Sequence, residues 1–448
     1  LFYQNSTCFF LAYFLIHHRI CFVRLKIQGC VKMKILKQYL QANPNHYQGY
    51  VDPRFQSVAH LFSRIQDARS AYGGAACVLY FQGEKVVDIY TGLAAVDSPW
   101  QANTMSVCYS TGKGVLATLA HILVSQGVLS YDQPIADYWP EFAQNGKGKM
   151  TLRHVLSHQS GLFDIRNNIA DATEMLNWTH MLDIFEKAQP RFAIGEDAAY
   201  QPLSFGWLVG GALEKATGKP LTELFQTYLV EPLELDGAYF GAPSAELKRI
   251  ARPITRPVPS QSNQKSPTKV RKVSLLDKAM QWSGQDPQDF QDGMIPKGMK
   301  KVSFYHDDAI QAIIPAANGV FTANSLAKVY AMLSQKGIWK GQQLIRPDVF
   351  SELSRVQYSY RDRVMPIPMH WRLGYHRILT LGKTAEQGFG HMGFNGSGAW
   401  GDSERGLSFA YTHNFATGSL TGDYRLWALS QESLRCVDAI LKGKKGWF

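Results

Sequence analysis

Apolar positions change period three times along the chain. Ala76-Cys77-Val78-Leu79-Tyr80-Phe81 and Val86-Val87-Asp88-Ile89-Tyr90 flank Gln82-Gly83-Glu84-Lys85, which predicts a β-hairpin. From about Ser106 to Leu235 the spacing turns helical. Predicted helices include an apolar run from Val115 to Val124 ending at Gly127, and Leu152 to Ser157. Another runs from Ser204 to Thr217 with Gly218 as its stop, and one more follows Pro220. Residues 242–300 lose that period to Pro, Ser, Gln and Lys and read as an irregular insertion or lid. Helix returns near Ser325–Leu333. Strands are expected near Arg372–Leu381, Phe389–Trp400 and Leu407–His413, then a closing helix over Leu426–Leu441. Strands at both ends with helices between them predict an α+β fold. One antiparallel sheet is built from both termini, and a mostly helical subdomain is inserted beside it. A catalytic cleft belongs between those two layers.

Composition changes this picture little. The 448 residues are 45% hydrophobic and 19% charged, ordinary for a globular enzyme. The net charge of +11 is uneven: Arg19, Arg24, Lys26, Lys32, Lys34 and Lys37 supply six of those charges in a stretch without any acid. The basic balance therefore reflects a tail and a basic loop, and no nucleic-acid partner is expected. The apolar run Cys8–Ile16 ends at His17-His18-Arg19, too short for a stable membrane span. Residues 1–32 are expected to lie outside the fold, as sequence upstream of a start at Met33 or, alternatively, as a membrane-associating leader. The hydrolase domain is placed at residues 38–442, cytoplasmic if translation starts at Met33, with a membrane-associated or exported form as the other possibility. Cys77, Cys108 and Cys436 lie beyond the head. They show no Cys-x-x-Cys and no metal-ligand spacing, so no cofactor and no metal are expected.

Chemistry concentrates at Ser110-Thr111-Gly112-Lys113, at the head of the predicted Val115–Val124 helix. A Ser and a Lys three apart share one face of a helical turn. A neutral lysine there can take the serine proton. At a pKa near 10.4 the neutral form costs about 4.6 kcal/mol at pH 7, and at a pKa of about 8 roughly 1.4 kcal/mol. Burial and a helix N-terminus both push that way, so a depressed Lys113 pKa is expected. Spacing alone does not choose Ser110. Ser262/Lys265, Ser266/Lys269 and Ser325/Lys328 repeat it, and Ser325 also starts a plausible helix.

Downstream come Met150-Thr151-Leu152-Arg153-His154-Val155-Leu156-Ser157-His158-Gln159-Ser160-Gly161-Leu162, then Ala199-Tyr200-Gln201-Pro202-Leu203-Ser204-Phe205-Gly206-Trp207-Leu208, then Gly390-His391-Met392-Gly393-Phe394-Asn395-Gly396-Ser397-Gly398. In order and spacing, over roughly residues 50–440, these segments resemble the serine β-lactamase-related superfamily: class C β-lactamases, DD-peptidases and penicillin-binding proteins. The family VIII-type carboxylesterases are the nearest branch. The resemblance implies that fold, with Ser110 as nucleophile, Lys113 as proton acceptor and Tyr200 as proton shuttle. It puts His391-Met392-Gly393 on a strand edging the site. It also implies an oxyanion hole made by the N–H groups of Ser110 and Phe394, the latter following Gly393. Ser325 has no such partners, which settles the choice.

Two departures bear on substrate. The second motif reads Tyr200-Gln201-Pro202, with no side-chain amide at Pro202, and Met392 stands where a hydroxyl residue is usual. With a mostly neutral His391 in place of lysine, the grip on a substrate carboxylate is weakened. The expected activity is ester hydrolysis through a Ser110 acyl-enzyme on a small-molecule ester, with Tyr109, Phe163 and Trp400 suggesting an apolar pocket. A β-lactamase or DD-peptidase is the second reading and a silent binding protein of the same fold the third. His154 and His158, four apart without an intervening Glu, read as structural. No Gly-x-Ser-x-Gly elbow is present.

Overall fold

The computed structural model describes residues 47–67, 73–254, 285–382, 385–418 and 423–443. Residues 1–46, which include the stretch 1–32 and Met33, lie outside them, as do residues 255–284 with Ser262/Lys265 and Ser266/Lys269.

The main sheet is antiparallel and is drawn from both ends of the chain. Its strands are β1 (Gln48–Val51), β2 (Gly74–Phe81), β3 (Glu84–Ala95), β4 (His376–Arg377), β5 (Gly388–Met392), β6 (Gly398–Asp402) and β7 (Leu407–His413). They run in the order β1-β3-β2-β7-β6-β5-β4, with Ser98–Pro99 added beside β3. The β2–β3 hairpin turns at Gln82 and Gly83, both with positive φ (52° and 85°). That is the two-residue primed geometry that matches strand twist.

Alternation along β2 is two-sided, because both faces are buried. Ala76, Val78 and Tyr80 face one core, and Ala75, Cys77, Leu79 and Phe81 face the other. The second core is closed by α1 (Gln56–Asp67) and the C-terminal helix, through Val58, Phe62, Leu426 and Leu429, with Phe55 of the 3-10 turn before α1. The first is filled by the inserted helices. Among these, α2 (Thr111–Ser125) is buried on all sides from Thr111 to Val124, as a helix apolar all round must be. Around it come α3 (Leu152–Leu156), α4 (Trp178–Lys187), α5 (Ser204–Thr217), α6 (Leu221–Phe225), α8 (Asp307–Gln311), α9 (Ala323–Ser334) and α10 (Pro347–Ser354), whereas α7 (Pro287–Met294) lies against the second core through Phe290 and Met294. The closing helix, α11, spans Tyr424–Leu441. Gly218 ends α5 in the left-handed region, φ 69°, where glycine carries no Cβ penalty.

Three expectations change. The single strand expected over Phe389–Trp400 is two strands, β5 and β6, broken by a 3-10 turn at Phe394–Gly396 with Asn395 at φ 72°. The strand expected over Arg372–Leu381 shrinks to His376–Arg377, because only that pair finds partners on β5. The described parts of 242–300 are not wholly irregular. They hold a 3-10 turn at Ser244–Arg249 and α7, whose Asp286 caps Gln288.

Candidate active site

Ser110 is the N-cap residue of α2, yet its side chain makes no cap hydrogen bond. A serine there normally accepts from the helix N–H groups. Instead the hydroxyl faces two other groups. Lys113 Nζ lies 2.9 Å from Ser110 Oγ, and the Tyr200 hydroxyl donates to Ser110 Oγ at 2.8 Å. The preceding Tyr109 has φ 48°, a strained backbone for a bulky residue and one that recurs at functional sites.

Lys113 is fully buried. Its amine also lies 2.7 Å from the Pro202 carbonyl and 2.9 Å from the Ala316 carbonyl. Loss of water pushes its pKa well below 10.5. Carbonyls only accept, so a neutral amine would spend both N–H bonds on them and turn its lone pair to Ser110. Asn318 holds the loop that supplies the Ala316 carbonyl, donating to the Ala309 and Ala312 carbonyls and accepting from the Ile314 N–H.

Tyr200 is held in a buried cage. Its ring stacks on Trp371 (5.4 Å, 6° between planes), meets His158 edge-on at 5.1 Å, and has Lys113 Nζ 5.0 Å from its centroid. Burial raises its pKa, so the phenol keeps its proton.

His391 lies on the α2 face of β5: a Cβ built at Gly114 would sit 3.4 Å from the His391 Cβ. Its Nδ1–H donates to the Met392 carbonyl at 2.9 Å, and its buried Nε2 has no partner among the described residues. Burial first, then His376, Lys113 and His158, pushes its pKa well below 6.5. Met392 packs in the same buried cluster as Leu426 and Leu429, and its backbone N–H donates to His376 Nε2 at 3.0 Å. Gly393 lets the strand end close on α2, for a Cβ there would meet the Cys108 carbonyl at 2.2 Å. Neither the Ser110 nor the Phe394 N–H has a backbone acceptor among the described residues.

The structure thus brings Ser110, Lys113, Tyr200, His391, Gly393 and Phe394 to one place. Tyr109 joins them, with its ring edge-on to Phe394, Phe304 and Tyr305. Two aromatic residues expected there are spent elsewhere. Trp400 alternates away from Ala399, and its indole N–H donates to Ser430 of α11 at 2.9 Å. Phe163 is fully buried and stacks on Phe192. Period-2 alternation on β6 decides the first case. Phe304, Tyr305, Trp371, His158 and the two carbonyls on Lys113 were not legible as site residues, since nothing local in the sequence ties them to Ser110. His154 serves in a capping box with Thr151. No group of three or more metal-ligating side chains exists among the described residues.

The beta-lactamase family model matches residues 58–432. The chain belongs to the β-lactamase family of serine hydrolases. It is 34% identical over 369 residues, 82% of each chain, to "Esterase/beta-lactamase LipL" of Mycobacterium tuberculosis. Among solved structures it is similar to a penicillin-binding protein homolog from Caulobacter crescentus, with TM-score 0.73, 30% identity, and 87% of this chain and 99% of that one covered. It is also similar to a family VIII carboxylesterase, with TM-score 0.74, 28% identity and 87% and 99% coverage. No described helix is long and apolar enough to cross a membrane.

Proposed function

We propose that this family member hydrolyses small, uncharged carboxylic esters through a Ser110 acyl-enzyme. The observation that carries the reading is Ser110 Oγ bracketed by Lys113 Nζ at 2.9 Å and the Tyr200 hydroxyl at 2.8 Å. Neutral Lys113 takes the serine proton as Oγ attacks the ester carbon. The N–H groups of Ser110 and Phe394 receive the developing oxyanion. Tyr200, still protonated, gives its proton to the departing alkoxide and recovers one from the Lys113 ammonium. Water then attacks the acyl group, losing its proton to the same pair while Ser110 Oγ leaves and is reprotonated.

Charge favours esters over β-lactams or peptides with a free carboxylate. His391 stands where the family usually carries lysine, and burial pushes its pKa well below 6.5, so its ring is uncharged near neutral pH. An anionic substrate therefore gains no charge from His391, whereas a neutral ester needs none. The similar family VIII carboxylesterase points the same way, while LipL is named both esterase and beta-lactamase.

The test pairs the purified chain with Ser110→Ala on p-nitrophenyl butyrate and on a chromogenic cephalosporin. Ester turnover lost at least ~1000-fold in Ser110→Ala is expected. Turnover surviving that change removes the nucleophile assignment. Cephalosporin turnover above ester turnover moves the protein to the β-lactamase reading, and inactivity on both to the binding-protein reading.

A further inference from the structure

Asp362 is fully buried, 162 residues from Tyr200 in sequence and joined to it in space. Its Oδ1 accepts the backbone N–H of Tyr200 at 3.1 Å, of Val364 at 2.7 Å and of Met365 at 2.7 Å. Its Oδ2 accepts the Trp371 indole N–H at 2.9 Å. That indole is the ring stacked on the Tyr200 phenol. One carboxylate therefore fixes both the backbone of Tyr200 and the plate against which its ring lies. The neighbouring strip follows the same course, with the Arg363 N–H donating to the Ala198 carbonyl at 3.0 Å.

The choice of residue is informative. A buried carboxylate is costly unless it is paired or saturated with hydrogen bonds. The adjacent Arg363 does not pair with Asp362: its guanidinium lies against Asp197 and Asp289. Four N–H donors converge on two oxygens, a demand for two acceptors and no donor, which asparagine cannot meet. Asparagine would turn an N–H against the indole N–H, or against three backbone N–H groups.

We infer that Asp362 is a positioning residue for proton transfer to the leaving alcohol, acting through Tyr200 and Trp371. Its negative charge also helps keep the Tyr200 proton in place. The inference rests on the reading of Tyr200 as the donor to the leaving group.

Leaving-group dependence tests it. p-Nitrophenolate departs without being protonated, whereas an alkoxide must gain a proton as it leaves. Values of kcat/KM, which report acylation, are compared for p-nitrophenyl butyrate and ethyl butyrate in the wild type, Asp362→Asn, Trp371→Phe and Tyr200→Phe. Asp362→Asn is expected to lose at least ~30-fold on ethyl butyrate and less than ~3-fold on p-nitrophenyl butyrate. Trp371→Phe keeps the stacked ring, removes the N–H and should show a smaller split in the same direction. It carries the test if Asp362→Asn does not fold. Equal losses on the two esters, or none, in a variant that folds overturn the inference. Tyr200→Phe separates the two levels. A split there without one in the Asp362 and Trp371 variants defeats the Asp362 inference alone. No split in Tyr200→Phe defeats the reading of Tyr200 beneath it.

Discussion

Lys113 is the residue whose surroundings decide its chemistry. An exposed lysine on a first helical turn is an ammonium; this one is sealed under Pro202 and Ala316 and loses the water that would hold its charge. The sign of the pH effect follows. Because the folded pKa lies below 10.5, kcat/KM should rise with pH as Lys113 deprotonates and level off above its folded pKa. Lys113→Arg should hold its proton throughout, since a guanidinium does not deprotonate in proteins. A loss of at least ~100-fold in kcat/KM on p-nitrophenyl butyrate is expected across pH 6 to 9. Activity within tenfold of wild type would exclude Lys113 as base. At this scale the sequence was informative about Ser110, Lys113 and Tyr200, whose residue types carry chemistry in a matched order. It was silent on Asp362 and Trp371, because no neighbour in sequence marks a carboxylate as the acceptor for a tyrosine far away.

Two helices with the same Ser-x-x-Lys spacing show what an element adds. In α2 the serine hydroxyl is free of capping and faces Tyr200. In α9 the Ser325 hydroxyl donates to the Asp236 carbonyl at 2.8 Å, and Lys328 donates to the carbonyls of Leu233 and Glu234. The second pair therefore ties down a loop. Ser325→Ala should leave ester turnover within twofold of wild type and cost about 1 kcal/mol of stability, read by denaturant unfolding. A collapse of activity without loss of fold would reopen the contest. Strand ends tell a similar story. The break between β5 and β6 came from Asn395 and Gly396, both with positive φ (72° and 112°), inside a stretch that looked continuous. That turn carries Phe394 toward Ser110 and sends Trp400 to α11. Periodicity finds strands from their apolar content, and it is blind to a turn whose flanks are apolar on both sides.

At the scale of the whole molecule, five histidines stand out by their burial. His121, His376 and His413 are pushed down to about 3, about 4 and about 3, and His158 and His391 also lie well below 6.5, in each case chiefly by burial. The unfolded chain binds these protons near pH 6.5 and the folded chain does not. Stability present above about pH 6.5 is therefore lost as pH falls toward 4, at up to about 1.4 kcal/mol per histidine per pH unit. Asp362 works the other way. Burial raises it to about 6, so the folded state gains a proton early. Burial also raises Asp289, and these two carboxylates against five histidines do not reverse the sign. The melting temperature should fall by several degrees between pH 7.5 and pH 5; a flat or rising profile would mean that these rings are protonated or solvated in the fold.

By itself the sequence determined what depends on near neighbours. The hairpin, the course of α2 and α5 and the Gly218 stop follow from local period and backbone preference. The meeting of Ser110 with Lys113 follows from one helical turn. The motif order also carried the family likeness. Tertiary structure alone decided the acceptors that direct the Lys113 amine, supplied by Pro202 and Ala316, 89 and 203 residues away. It decided the Asp362–Trp371 support of Tyr200 and the exclusion of Trp400 from the site. The reason is physical. Those features arise where separate elements exclude water together, and burial, which shifts Lys113 and makes Asp362 demand four donors, belongs to the packed whole and to no single segment.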